Sequence, residues 1–276
     1  MCNMDKLMTI KEAAFDYQSK QVFHDINFEL HAGEIFCLFG PNGCGKSTLL
    51  ECILGLLKLK NGNIYIKDTD INLLKPKEIA QQIAYVPQVH KKTFPYKVID
   101  IVLMGRAANT GFFGTPDPAD LEIAEQSLSV VGMDKYRDTP YTMLSGGETQ
   151  LIMLARALAQ QTPIIVMDEP TAHLDFKHEL VILENVVKLV KEQGVALIMA
   201  THFPNHAFYF ENKGIRTLVA LMNNKSFADF GAPSSIISEI NMRKTFNIDS
   251  KLIDFPLAVG ERIRQIIPVN TVSPEY

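Results

Sequence analysis

The chain contains 276 residues, and its 47% hydrophobic and 21% charged residues are typical of a globular protein with a substantial core. A net charge of −4 argues against an extended nucleic-acid surface, because proteins that bind the phosphate backbone usually carry a basic face. No apolar run approaches the roughly 18 residues of a membrane-spanning helix, and the charged N-terminal segment lacks the apolar core of a signal peptide. We therefore expect a cytoplasmic protein that neither crosses a membrane nor binds nucleic acid.

The N-terminal segment predicts three strands that lead to a glycine-rich loop. The runs "LMTIKEAAFDY" and "QVFHDINFEL" alternate between apolar and polar residues and are separated by a turn at residues 19–20. A second turn at residues 31–33 precedes the run "EIFCLF", which continues directly into the loop "GPNGCGKST" at residues 40–48. The apolar positions after this loop recur at helical spacing, so we expect a strand, a loop and a helix in succession.

The loop satisfies the pattern G-x-x-x-x-G-K-[ST], in which backbone amides and one lysine surround the phosphates of a nucleotide. The strand before it and the helix after it provide the context that such a loop requires. We expect nucleotide contacts from Gly40, Pro41, Asn42, Gly43, Cys44, Gly45, Lys46, Ser47 and Thr48. Because loop amides, a helix N-terminus and Lys46 surround Cys44, the pKa of its thiol is expected to be lowered.

The rest of the chain predicts an α/β core with a helical insert. After the strand-like runs "NIYIKD" and "IAYVPQ", turns and helical periodicity predict an α-helical insert over about residues 89–160. The runs "PIIVMDEP" and "VALIMATH" then flank the helical segment "HELVILENVVKLVKEQG", and this βαβ order indicates a parallel sheet. Beyond about residue 223, prolines interrupt short amphipathic pieces, which predict a small extension without chemistry of its own.

The segment "IIVMDEP" carries a second nucleotide signal. Its apolar residues predict a buried strand whose C-terminal end delivers Asp168, and parallel sheets usually bind ligands at that edge. Asp168 and the hydroxyl group of Ser47 are therefore candidates for holding Mg²⁺. Neighbouring residues on a strand point in opposite directions, so Glu169 cannot duplicate the role of Asp168. We expect Glu169 to orient and deprotonate an attacking water.

The segment "LSGGETQ", residues 144–150, begins the last helix of the predicted insert. Ser145 and Glu148 form the capping-box pattern S-x-x-E. That pattern does not account for Gly146 and Gly147, since a glycine in a helix costs about 0.5–1 kcal/mol relative to alanine. Glycines at this place would leave the exposed amides of a helix N-terminus open to an anion. The segment therefore predicts a second phosphate-binding element.

The signature "LSGGE", together with the phosphate loop and the "VMDEP" strand, resembles the ATP-binding-cassette ATPases over about residues 8–220. The resemblance implies an α/β fold, in which a P-loop NTPase core carries an N-terminal antiparallel β subdomain and an α-helical insert. It divides the chain into an ATPase domain at 1–222, with its core at about 1–88 and 161–222 and its helical subdomain at about 89–160, and a small C-terminal extension at 223–276.

The resemblance also implies a composite site. The phosphate loop of one subunit would hold ATP and Mg²⁺, while Ser145, Gly146 and Gly147 of a second subunit would cover the γ-phosphate. Four single residues correspond to further family markers: Tyr17 to the aromatic that stacks on adenine, Gln88 to the glutamine that reaches Mg²⁺ and the attacking water, Asp175 to the loop that touches the partner subunit, and His202 to the switch histidine that contacts the γ-phosphate. These implied roles make Glu169, His202 and Gln88 the expected catalytic group.

Two positions depart from the family pattern. Thr149 follows the signature glutamate, where arginine or a similar polar residue is commoner, and Met167 stands before the strand-end aspartate, where leucine is usual. Neither change removes a functional group, so we expect an active ATPase. A nucleotide-binding scaffold that does not hydrolyse ATP would conflict with the presence of Glu169 and His202.

The segments "VIDIVLMGRAANTGFFGTPDPAD", "DEPTAHLDFKHE" and "THFPNHA" resemble the cassettes of uptake systems for ferric siderophores, haem and cobalamin, a group that includes some molybdate-type importers. The implied partners are a second copy of this chain in a head-to-tail, ATP-bound dimer, two integral-membrane permease subunits and, indirectly, an external substrate-binding protein. This arrangement would place the chain peripherally on the cytoplasmic face of the cell membrane. A soluble cassette that serves assembly or repair without a permease is the hypothesis from another class.

We expect the permease contact near residues 88–115, where several apolar side chains offer anchors: Phe94, Pro95, Tyr96, Phe112 and Phe113. Local packing of these loops on the helical insert is the alternative explanation of the same residues.

Overall fold

The computed structural model describes residues 5–88, 90, 92–110, 115–172, 174–256 and 262–272. Up to the signature helix, the elements are β1 (Lys6–Tyr17), β2 (Lys20–His31), β3 (Glu34–Phe39), α1 (Lys46–Ile53), β4 (Asn61–Ile66), β5 (Thr69–Asp70), α2 (Pro76–Ala80), β6 (Ile83–Val86), α3 (Val98–Leu103), α4 (Pro118–Val130) and α5 (Gly146–Ala159). They are followed by β7 (Ile164–Asp168), α6 (Phe176–Gln193), β8 (Ala196–Thr201), α7 (Pro204–Asn212), β9 (Arg216–Asn223), β10 (Ser226–Gly231), α8 (Pro233–Ile236), α9 (Glu239–Phe246), β11 (Ile248–Pro256) and β12 (Arg262–Thr271). None of the described helices has both the length and the apolar character that crossing a membrane requires.

The central sheet has six strands in the order β10-β9-β3-β8-β7-β6. Its strands β3, β7 and β8 are buried along their whole length and run parallel to their neighbours in the sheet. Continuous apolar runs of this kind suit parallel strands that are covered on both faces. Helix α6 connects β7 to β8, its parallel neighbour, so the predicted βαβ unit is confirmed.

A second, antiparallel sheet with the order β2-β1-β4-β5 covers one face of the central sheet. Its apolar side chains and those of α1 form one buried cluster with the strands of the central sheet. At the centre of this layer, Phe28 of β2 stacks on Phe36 of β3, with ring centroids 4.0 Å apart. The predicted fold class, an α/β core with an N-terminal antiparallel β subdomain, is confirmed.

Helices α3, α4 and α5 pack on one another between β6 and β7, in the interval predicted as a helical insert. Arg106, which is buried, connects them. Its Nε donates to Oδ1 of Asp120 on α4 at 2.8 Å, and its Nη1 donates to the carbonyl oxygen of Ala159 on α5 at 2.7 Å. Because a buried charge needs such partners, these bonds fix the end of α5 relative to α4.

The chain after residue 222 is partly continuous with the central sheet. Strand β10 pairs with β9 in an antiparallel hairpin and forms the sheet edge. The boundary predicted between residues 222 and 223 therefore falls inside a hairpin, and a boundary after Gly231 fits the sheet better. The pattern missed β10 because an edge strand buries little apolar surface, and β10 is only partly buried or exposed along its length. Beyond it, Asn205 of α7 holds the β11–β12 pair through two bonds to the backbone of Ile266, of 2.9 and 3.3 Å.

Candidate functional site

A cavity of about 820 Å³ lies beside the phosphate loop, at the ends of strands from both sheets. It is lined by residues 41–48, by Tyr17 and residues 20–22, by Gln88 with Glu169, and by residues 223–225. Its volume lies within the range of about 300–1,000 Å³ that is usual for small-molecule sites. The cavity thus brings together most of the residues that the sequence predicts to contact one nucleotide.

The loop between β3 and α1 is shaped by its glycines. Gly45 precedes α1 with a φ of +106°, a conformation that glycine adopts without strain. A Cβ at Gly40 would lie 2.5 Å from the carbonyl oxygen of Met222, so only glycine fits there. Lys46 is 5% exposed, and its Nζ bends back to donate to the carbonyl oxygens of Gly40 at 2.7 Å and Pro41 at 3.2 Å. The loop therefore encloses a buried positive charge at the N-terminus of a helix, which is where anions bind.

Asp168 ends β7 and is 6% exposed. Burial raises the pKa of its carboxyl group, and the hydroxyl group of Ser47 partly offsets this rise. Oδ1 of Asp168 has no hydrogen-bond partner among the described residues. A divalent cation between this carboxylate and the Ser47 hydroxyl would satisfy the orphaned oxygen and compensate its charge. The two groups therefore fit the Mg²⁺ site predicted for them, and Gln88, the third predicted ligand, lines the cavity that Ser47 lines.

Glu169 lies just beyond the strand and has a φ of +45°, so the backbone turns sharply after Asp168. Its amide donates to the carbonyl oxygen of Ala200 at 2.9 Å, which anchors the turn to β8. Oε2 of Glu169 accepts a hydrogen bond from Nε2 of Gln88 at 3.0 Å and lies 3.3 Å from Nδ1 of His202. The structure thus brings together the three predicted catalytic side chains around one carboxylate oxygen.

The part of the cavity lining outside the phosphate loop contains Tyr17, which was predicted, and several residues that sequence reasoning missed. Tyr17 is 49% exposed, and its ring packs edge-on against Phe15 with centroids 4.9 Å apart, so one ring face is available to a planar ligand. The β9–β10 turn, residues 223–225, completes this part of the lining. Asn224 and Lys225 have positive φ angles of 48° and 68°. Two asparagines followed by lysine between two apolar runs form a recognisable hairpin signal that could have predicted this turn.

The lowered thiol pKa predicted for Cys44 is wrong. The pKa of its thiol is raised, because burial outweighs the opposing effects of the Lys46 charge and of nearby backbone amides. The sequence suggested a lowered pKa, since it shows the neighbouring charge and amides but not the extent of burial. Cys44 is therefore a packed side chain of the loop with little thiolate at neutral pH.

The segment 144–150 forms the start of α5 as predicted. Oγ of Ser145 accepts a hydrogen bond from the amide of Glu148 at 3.3 Å, and the carboxylate of Glu148 accepts one from the amide of Ser145 at 2.8 Å. This reciprocal pair is a capping box. Apart from its chain neighbours and the backbone of its own helix, no described atom lies within 4 Å of a Cβ added at Gly146, whereas one added at Gly147 would meet the ring of His178 at 2.6 Å. Of the two glycines, only Gly146 has open space in its Cβ direction in the described structure.

None of residues 144–150 lines the cavity within the described part of the molecule. The segment is instead connected to residues beside Gln88 by two hydrogen bonds. Nε2 of Gln150 donates to the carbonyl oxygen of Pro87 at 3.2 Å, and the Lys92 ammonium donates to the carbonyl oxygen of Leu144. These two bonds join the first turn of α5 to the Gln88 region.

Asp175 caps α6 on the same side of the molecule. Its Oδ1 accepts a hydrogen bond from the amide of His178 at 2.9 Å, and its side chain is 65% exposed. Like the segment 144–150, Asp175 stands outside the lining of the cavity. The predicted site residues thus form two groups, one around the cavity and one at the starts of α5 and α6.

The fold and the loop define this protein as a P-loop NTPase, with a phosphate-binding loop after β3 and carboxylates at the end of β7. Comparison with known proteins narrows the class. The profile of the ABC transporter family matches residues 23–172. The chain therefore belongs to the ABC transporter family, and it is an ATP-binding cassette that hydrolyses ATP.

Individual relatives extend the similarity over nearly the whole chain. The chain is 34% identical to the molybdate import ATP-binding protein MolC of Haemophilus influenzae over 246 residues, which cover 89% of this chain and 90% of that protein. It is 32% identical to the iron(3+)-hydroxamate import ATP-binding protein FhuC of Bacillus subtilis over 92% of each chain. A solved structure described as a metal-chelate type ABC transporter in an inward-facing conformation superposes with a TM-score of 0.83 and 30% identity, over 96% of this chain and 98% of that one.

Proposed function

We propose that this chain is the ATP-hydrolysing motor of an importer that takes up a metal chelate of the ferric siderophore, haem or cobalamin class. The observation that carries the proposal is the division of the predicted site residues between the cavity and the outward-facing starts of α5 and α6. Similarity to the FhuC protein along 92% of both chains supports the class of cargo.

The cavity residues support hydrolysis by a positioned base. Backbone amides of the loop and the ammonium of Lys46 would hold the phosphates, and Tyr17 would stack on the base. When bound, Mg²⁺ between Asp168 and Ser47 would neutralise phosphate charge. Glu169 would take a proton from the attacking water. The oxygen of that water would bond to the γ-phosphorus, and the bond from the γ-phosphorus to the oxygen of the β-phosphate would break.

His202 and Gln88 would hold the Glu169 carboxylate in place for this step. Both contact the same oxygen, at 3.3 and 3.0 Å, so the second oxygen of Glu169 remains available to the water. Both side chains would also reach the γ-phosphate or the attacking water once ATP is bound. Turnover should therefore depend on the two residues mainly through kcat rather than through ATP affinity.

A second copy of the chain is the proposed partner at the outward-facing group. Ser145 and Gly146 are exposed, and two large apolar side chains near them are strongly exposed, Met143 at 75% and Phe176 at 92%. Exposed apolar side chains beside a helix N-terminus suit a contact with another protein that also carries an anion. The γ-phosphate bound by the loop of the other copy would supply that anion, in a head-to-tail dimer with two ATP molecules.

Two permease subunits are the proposed partners on the other side of the molecule. A groove of about 710 Å³ lies between the end of α1 and the start of the helical region. Leu56 and Met104, which line this groove, are exposed at 68% and 47%. Phe94 and Tyr96, two of the predicted anchors, are exposed at 60% and 48%, and Pro95 lies between them. Phe112 and Phe113 lie outside the described residues.

The permeases would hold this chain on the cytoplasmic face of the membrane, and an external binding protein would deliver the cargo. Closure of two cassettes around ATP would displace the groove and the permease bound to it. Hydrolysis of ATP would let the cassettes separate and the groove return. The bonds from Gln150 to Pro87 and from Lys92 to Leu144 support this transmission, because they join the start of α5 to the Gln88 region.

Molybdate import is the second candidate, because similarity to MolC covers about as much of this chain as similarity to FhuC does. Uptake assays in vesicles that contain the whole transporter would decide between the two. We expect ATP-dependent uptake of a ferric hydroxamate, haem or cobalamin and no uptake of molybdate; the opposite pattern would transfer the proposal to oxyanions.

Affinity purification of the full chain from detergent-solubilised cells tests the motor role itself. We expect a polytopic membrane protein to co-purify, together with ATPase activity that is sensitive to its presence. A stable complex with soluble proteins alone would contradict transport and favour an assembly or repair ATPase.

A further inference from the structure

The first turn of α6 contacts the first turn of α5, and one side chain makes the contact. His178 is 28% exposed at its side chain, and its Nδ1 lies 2.9 Å from both carboxylate oxygens of Asp175. Its own amide also donates to Oδ1 of Asp175 at 2.9 Å. The imidazole is therefore fixed in direction by the residue that caps its helix.

The ring of His178 occupies the space that a side chain at Gly147 would need. A Cβ built on Gly147 would lie 2.6 Å from Cγ, 2.8 Å from Cδ2 and 3.0 Å from Cβ of His178. These distances are too short for any real side chain, and the atoms belong to the base of the ring, which cannot swing away. Glycine at this position is required by a contact within the chain.

Other groups around the ring agree with a fixed position. The pKa of Glu148 is lowered chiefly by hydrogen bonds from Tyr136 and from the amide of Ser145, and nearby His178 adds a smaller effect in the same direction. Glu179, the next residue, is held separately by Nε2 of His206 at 2.7 Å. His178 does not line the cavity of its own chain in the described structure.

We propose that His178 is a positioning residue that joins Asp175 and the start of α5 into one rigid corner, which each chain presents to the ATP site of a second copy. The proposal rests on the proposed function, since it assumes that Gly146 and Asp175 face the nucleotide of the partner. It assigns the two glycines different tasks: Gly147 admits the His178 ring, and Gly146 approaches the phosphate.

ATP-dependent dimer formation is the measurement that reports this role. In a Glu169→Gln background, bound ATP should persist, and light scattering should show a dimer when ATP and Mg²⁺ are added. His178→Ala in this background should raise the protein concentration needed for half-dimerisation about tenfold, because a charge-assisted hydrogen bond and a packing contact are lost. The affinity of the monomer for a fluorescent ATP analogue should be unchanged, since the cavity does not contain His178.

Two variants separate positioning from a general loss of structure. His178→Asn keeps a donor near Asp175 but removes the ring, so it should fall between wild type and His178→Ala. Lys188→Ala on an exposed face of α6 is the control and should dimerise normally. An equal defect in Lys188→Ala, or normal dimerisation of His178→Ala, would overturn the proposal.

A compensating pair tests the contact itself. Gly147→Ala should dimerise more weakly than His178→Ala, because its Cβ collides with the ring. Adding His178→Ala to Gly147→Ala removes the obstacle, so the double variant should recover to the level of His178→Ala alone. A double variant that is weaker than either single one would show that the two residues act independently and would overturn the proposal.

Failure of the Glu169→Gln chain to dimerise with ATP would instead contradict the composite site, which is a different result from failure of the His178 contact.

Discussion

The two groups of predicted site residues differ in how far one chain completes them. Around the cavity, two of the charged side chains already have partners within the chain: Lys46 bonds to two loop carbonyls, and Glu169 contacts both Gln88 and His202. At the start of α5, Gly146 faces open space in the described structure, and the apolar side chains nearby are exposed. The difference indicates that the cavity is shaped to hold a ligand, whereas the α5 surface is shaped to meet another molecule.

Replacement of Glu169 by glutamine should produce the largest effect on the cavity side. Glutamine keeps the size of the side chain but cannot accept the proton of the attacking water, so kcat should fall about 10²- to 10⁴-fold. ATP affinity should change little. Steady-state phosphate release and equilibrium nucleotide binding check the two parts. Glu192→Gln on the exposed end of α6 is the matched control, and comparable turnover in the two variants would remove Glu169 as the base.

Lys46→Ala should weaken ATP binding by the phosphate loop. Loss of a buried ammonium that faces the phosphates should weaken ATP binding roughly hundredfold. Fluorescence titration with an ATP analogue gives the affinity, and Lys191→Ala, at an exposed position, serves as the control. Wild-type affinity in Lys46→Ala would mean that the loop does not hold the phosphates.

Asp168→Asn should weaken function and strengthen the ligand-free fold. Burial raises the pKa of Asp168 in the folded chain above its value in the unfolded chain. The free energy of unfolding is therefore highest in acid, where the carboxyl group is protonated, and falls as the pH rises through the folded-state pKa. Asparagine carries no charge and so avoids this loss. The free energy of unfolding of the ligand-free variant should exceed that of wild type by about 1–3 kcal/mol at neutral pH. Urea unfolding at neutral and acidic pH measures the gain, which should shrink in acid. A destabilised variant at neutral pH would show that the carboxylate is compensated without a cation.

Tyr17→Ala should give the smallest of these effects. Loss of one stacking surface for the base should raise the KM for ATP about tenfold while kcat stays near wild type. Tyr17→Phe keeps the ring and should behave like wild type. If the alanine variant also keeps the wild-type KM, Tyr17 has only a packing role against Phe15.

The elements that position the cavity could be predicted from the sequence because their signals are local. The alternation in β1 and β2, the apolar run of β3 and the capping box of Ser145 and Glu148 each depend on residues close together in the chain. Interactions within a few residues are visible as spacing alone.

The features that sequence reasoning missed depend on contacts between distant segments. Gly147 and His178 belong to different helices, so nothing in "LSGGE" shows that its second glycine is needed for packing. The pKa of Cys44 depends on burial by the surrounding fold, which outweighs the neighbouring charge. The turn at residues 223–225 reaches the cavity because β9 pairs with β3 up to Phe39, and the carbonyl oxygen of Lys225 accepts a hydrogen bond from the amide of His24 in β2, at 2.8 Å.

A mixing experiment tests most directly whether the two groups complete each other across two chains. The chain with Lys46→Ala lacks only the cavity half, and a chain with Gly146→Asp, which places a negative charge where the phosphate would bind, lacks only the α5 half. Each alone should have little ATPase activity. In an equal mixture, half of the dimers combine the two variants and contain one intact site, so activity should rise to about a quarter of wild type. A mixture that is no more active than the sum of its parts would contradict a site shared between two copies.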